Sequence, residues 1–177
     1  MGKKEKRWIY AGLWLSVGLV LPFLTGQIPQ IGASLCPMHL PVLLCGFLCG
    51  PAEAAVVGLS CPLLRSLWWG MPPMYPTAVA MAAELAAYGL VSGFLGRWLP
   101  VEKAPARYAA LIGAMLAGRL VWGGVMAVLS GASGSPFTWE IFWARGFVSS
   151  FPGIVLQLAL IPPLVSALKK GGFSVEG

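Results

Sequence analysis

The stretch "CPLLRSLWWGMPPMYPTAVAMAAELAAYGLVSGFLGR", residues 61–97, decides the fold. Two apolar runs flank "WGMPPMYP", which is too rich in Pro and Gly to continue a helix and too irregular to lie exposed in lipid. The second run, from about Thr77 to Leu99, is long enough as a helix to cross a hydrocarbon core of about 30 Å. Arg65 precedes the Trp68–Trp69 pair by about one turn. Placing Arg at a bilayer centre costs about 2.5–3.5 kcal/mol even on the lenient insertion scale. Arg65 must therefore lie near an interface, be paired, or face a polar cavity.

The whole chain agrees with a membrane setting. Of 177 residues, 58% are hydrophobic and 10% charged, with a mean hydropathy of +0.79. Soluble domains carry about 25% charged residues. The composition predicts an all-α, multi-pass membrane protein, a single domain over residues 1–177. Asp and Asn are both absent, so no N-glycosylation sequon exists. A charge of +6 in a soluble chain would point to nucleic acid; here its placement sets topology, and no nucleic-acid partner is expected.

Apolar runs punctuated by Pro and Gly predict six helices: about Trp8–Leu24, Met38–Leu48, Ala52–Trp69, Thr77–Leu99, Tyr108–Gly131 and Trp139–Leu168. The basic start followed by an apolar run resembles a signal peptide. The run is long and no clean A-x-A site follows, so a retained first helix is expected. "MGKKEK" lacks the hydroxyl residue of a myristoylation signal. Lys3, Lys4, Lys6 and Arg7 precede the first helix, Arg97, Lys103 and Arg107 surround the fourth connection, and Lys169 and Lys170 follow the sixth helix. With six crossings all fall on one side, and the positive-inside rule makes both termini cytoplasmic.

That orientation gathers the candidate functional residues toward the outer side. Gln30 and His39 lie in or beside the first outer connection, and Trp68, Trp69, Met71 and Tyr75 at the second. Trp139 and Arg145 open the sixth helix, while Glu84, Arg119 and Trp122 lie deeper on the fourth and fifth. Glu84 and Arg119 admit two readings: an ion pair holding helices in register, or the lining of a ligand cavity, since intramembrane charges usually face a bundle interior or water. For Arg65 the alternatives are snorkelling to the interface and gripping an anionic ligand group with its guanidinium fork. The aromatics form an interfacial belt or an apolar slot for a ring.

Catalytic signatures are missing: no H-E-x-x-H, no G-x-S-x-G, and no P-loop. The chain is therefore expected to be non-catalytic and to carry no cofactor. His39 with Cys36 supplies at most two metal ligands, fewer than a transition-metal site usually needs, so no metal is expected. Cys36, Cys45, Cys49 and Cys61 lack metal-ribbon spacing and read as small packing residues.

The stretch "SLCPMHLPVLLCGFLCGPAEAAVVGLSCPLLRSLWWGMPPMYPTAVAMAAELAAYGLVSGFLGR", with "AMLAGRLVWGGVM" and "FPGIVLQLALIP" later on, resembles the substrate-binding S components of energy-coupling factor (ECF) transporters. The resemblance implies an outward-facing pocket, capped by loops, that binds a vitamin at a bacterial plasma membrane. It also implies a separate membrane T subunit and two ATPase subunits, the energising half of this kind of ABC transporter. Family members pack small residues of the first helix against the T subunit; here Gly12 and Ser16 stand at that spacing. Metal-transporting relatives begin Met-His, whereas this chain begins Met-Gly-Lys. The arginines favour an acceptor-rich compound such as lipoate or pantothenate, and the aromatics a pyridoxine-type ring. The alternative from another class is a structural or assembly membrane protein whose charges only specify packing.

Overall fold

The computed structural model describes residues 2–25 and 34–173, which are helical throughout apart from short connections. The α-helices are α1 (Lys3–Val20), α2 (His39–Leu48), α3 (Pro51–Trp69), α4 (Val79–Trp98), α5 (Ala104–Ala132), α6 (Trp139–Trp143) and α7 (Phe151–Lys170). A 3-10 turn, Leu21–Thr25, extends α1, and π turns at Met74–Ala78 and Ala144–Val148 lead into α4 and follow α6.

By length and apolarity, four segments among the described residues can cross a membrane: Lys3–Leu24, Met74–Trp98, Ala104–Ala132 and Phe151–Lys170. The chain is thus an α-helical, multi-pass membrane protein. Helix α3 is nearly as long, but Glu53, Arg65 and Ser66 dilute its apolarity; all three are buried against protein rather than lipid. Helix α2 has ten residues, about 15 Å of rise, and is too short to cross alone.

That short helix is the axis of the bundle. Residues 41–48 are all buried, as expected of a helix apolar on every side. Around it stand α1, α3, α4 and α7. Gly50, at φ 132, makes the sharp turn into α3, and Pro51 opens that helix, where its missing N–H costs nothing. Helix α4 packs on α2, α3 and α5. Its contact with α3 is backbone to backbone: a Cβ at Gly89 would stand 2.5 Å from the Ala54 carbonyl carbon. Gly89 and Gly93 form a small-xxx-small pair of the kind that lets membrane helices approach closely.

The predicted sixth helix is broken. Its outer part, α6 with the π turn, is separated from α7 at Ser149–Ser150. The cause is local: the Ser149 and Ser150 hydroxyls donate back to the Ala144 and Gly146 carbonyls, competing with the helical ladder, and Pro152 restarts the helix in its first turn. Helices α1 and α5 begin earlier than predicted, at Lys3 and Ala104, because Lys, Glu and Arg are good helix formers and Pro105 suits a helix start.

Candidate functional site

Because α2 is short while its neighbours are long, space is left beyond its first turn. A cavity of about 330 Å³ occupies it. Residues 36–39 line one side. From α4 and the turn before it come Thr77, Met81 and Glu84, spaced by four and three residues and so on one helical face. Helix α5 contributes Arg119 and Trp122, one turn apart, and the π turn after α6 contributes Arg145, with Ser149 a turn beyond.

The centre of this wall is ionic. Arg119 Nη1 lies 2.8 Å from Glu84 Oε1, with both side chains almost wholly buried. His39 Nε2 lies 3.5 Å from the same oxygen, too long for a well-formed N–H···O bond, and the imidazole stands edge-on to the Tyr88 ring at 5.1 Å. Arg119 Nη2 also approaches Cys36 Sγ at 3.9 Å. Both nitrogens of His39 and the Nε of Arg119 are buried without a hydrogen-bond partner. Glu84 Oε1, despite its 2.8 Å approach to Arg119, lacks a directed hydrogen bond, so the attraction there is Coulombic. Buried polar groups of this kind ordinarily have partners, so the wall presents unused donors to whatever enters.

Arg145 is exposed at the cavity. Among the described residues it forms no ion pair. Glu140, the nearest carboxylate in sequence, is fully exposed and accepts from Thr138, a hydrogen bond that holds its carboxyl below the usual carboxylate range. Helix α6, just before Arg145, is held to α5 by aromatic packing: Phe142 stacks on Trp122 at 6.2 Å and on Trp139 at 5.1 Å. Two guanidinium groups against one carboxylate leave the cavity with an excess of positive charge.

The structure therefore brings together His39, Glu84, Arg119, Trp122 and Arg145 among the predicted residues, with Trp139 one ring behind. It places others elsewhere. Arg65 is buried, donates from Nη1 to the Leu19 carbonyl at 2.9 Å, and lies over the Phe23 ring at 4.8 Å and near Trp69 at 5.7 Å. It thus clasps the end of α1 to α3, away from the cavity lining. Trp68 and Trp69 are exposed beside it. Met71 lies in the following loop, and the Tyr75 hydroxyl donates to the Leu129 carbonyl at 2.8 Å. Gln30 lies outside the described residues. Gly12 and Ser16 sit exposed on α1, where the Ser16 hydroxyl donates to the Gly12 carbonyl. Cys36, read from sequence as a packing residue, also lines the cavity, as do Pro37, Met38, Thr77, Met81 and Ser149, which the sequence reading does not single out; the helical spacing of Thr77 and Met81 from Glu84 is the available signal. Among the described residues no group of three or more His, Cys, Asp or Glu side chains is placed to hold a metal.

Neither a curated protein nor a solved structure matches the chain. The model of one family, described as ECF transporter, substrate-specific component, matches residues 6–165. A match over nearly the whole of an α-helical membrane chain shows the family: the protein belongs to the substrate-specific components of ECF transporters, substrate-binding rather than catalytic subunits.

Proposed function

We propose that this protein captures a vitamin or related micronutrient in the Glu84–Arg119–Arg145 cavity and imports it, energised by a separate T subunit and two ATPase subunits. The carrying observation is the cavity's unused polarity: an exposed Arg145, and an Arg119 Nε and His39 ring nitrogens that lack hydrogen bonds, around about 330 Å³. That volume is at the small end of the range for ligand pockets. A carboxylate on the ligand would meet the arginine forks, and Trp122 offers an apolar face. Lipoate and pantothenate carry such a carboxylate, while a pyridoxine-type compound would offer its ring to Trp122 and its hydroxyls to the arginines.

In this reading the chain crosses a bacterial plasma membrane six times with both termini cytoplasmic, as the one-sided placement of Lys and Arg supports. Helix α2 then crosses within the bundle, together with its flanking segments, and the cavity opens outward. Gly12 and Ser16 face the T subunit. The rival reading, a structural membrane protein, draws on the Glu84–Arg119 pair alone and leaves Arg145 and the cavity without a role. Mass spectrometry of small molecules released from the folded, purified protein tests the proposal: a stoichiometric micronutrient is expected, and a protein that folds empty and binds none of the three candidate classes would contradict it.

A further inference from the structure

We propose a second binding site, at the other end of α4, for the phosphate headgroup of an anionic phospholipid. A cavity of about 600 Å³ lies there, lined by Arg7 from α1, Arg97 and Trp98 from α4, Lys169 from α7 and, as the single carboxylate, Glu102. Arg97 and Lys169 occupy the last turns of their helices, where cations favourably meet the helix dipole. That alone would account for two of the three charges. It does not account for Arg7, which sits near the start of α1, lines the same cavity and has a buried Nε without a hydrogen-bond partner. Three helices thus converge their cations on one cavity.

The flank of the cavity identifies a lipid rather than a free anion. Trp98 is 79% exposed, Phe94 46% and Leu90 38%, and the three recur every four residues along one outward stripe of α4. The Phe94 and Trp98 rings stand 6.3 Å apart. This stripe runs from the basic cavity along the membrane-facing surface, so an acyl chain can follow it while the headgroup stays among Arg7, Arg97 and Lys169. Basic pockets between membrane helices are where anionic headgroups bind.

The test is native mass spectrometry of the full chain in detergent, supplied with phosphatidylglycerol or phosphatidylcholine of identical acyl chains. The wild type is expected to retain phosphatidylglycerol roughly tenfold better or more. Arg7→Gln with Lys169→Gln should bring the ratio close to unity, and Lys169→Gln alone should lower it part of the way. Lys4→Gln with Lys6→Gln removes the same charge from the start of α1, outside the cavity, and should preserve the preference. No preference in the wild type, or an equal loss in the Lys4/Lys6 variant, would overturn the site. Loss of the preference in excess inorganic phosphate would make it a free-phosphate site and overturn the lipid assignment.

Discussion

Arg119 Nη1 and Glu84 Oε1 stand 2.8 Å apart between two neighbouring helices, both nearly sealed from solvent, on the wall of the cavity. One contact thus joins two helices and lines the cavity. Removing one partner leaves a buried charge uncompensated, which costs about 3–5 kcal/mol. Glu84→Gln should therefore lower the thermal unfolding midpoint in detergent sharply, while Glu84→Gln combined with Arg119→Met should recover much of the loss. An unchanged midpoint in the single variant would mean the pair contributes nothing to stability.

Arg65 makes a different kind of contact. Its donor goes to the Leu19 carbonyl, at the end of α1 where carbonyls lose their helical partners. Arg65→Ala should destabilise the protein by about 1.5–3 kcal/mol, the range for hydrogen bonds involving a charged group. Ligand affinity should change far less than with a cavity variant. Titration calorimetry beside thermal unfolding separates the two effects, and a large affinity loss with unchanged stability would move Arg65 into the binding site.

Gly12 has open space where a side chain would go, and Ser16 is exposed. Gly12→Leu and Ser16→Leu should leave folding and ligand binding intact and weaken copurification with the T subunit. Normal assembly of both variants would place that contact on another face.

The orientation is open to labelling. In intact cells, a membrane-impermeant thiol reagent should modify Ser135→Cys and leave Lys103→Cys unmodified. The native thiols are buried and give little background. The opposite pattern would invert the cavity's side.

Much of this organisation is legible in the sequence because lipid restricts the options. The Pro- and Gly-rich breaks end helices where expected, and Glu84 with Arg119, charges at similar depth on consecutive helices, had reason to meet. Arg65 was harder to read. Its observed partner is a backbone carbonyl on another helix, which leaves no signature in the side-chain pattern, and the adjacent tryptophans read equally as an interfacial belt or a ligand slot. The break at Ser149–Ser150 is not legible either: an apolar run hides the competition between serine hydroxyls and the helical ladder. Nor does sequence spacing reveal that a ten-residue helix, being short, leaves a cavity at its end.

The central claim is that this cavity holds the substrate, and Arg145 tests it most directly. It lines the cavity, is exposed, and forms no ion pair among the described residues, so its replacement should not disturb the fold. Calorimetric titration of wild type and Arg145→Ala with the small molecule that copurifies should show affinity falling by roughly one to two decades, the equivalent of about 1.5–3 kcal/mol for hydrogen bonds to a charged group. Equal dissociation constants for the two proteins would contradict it.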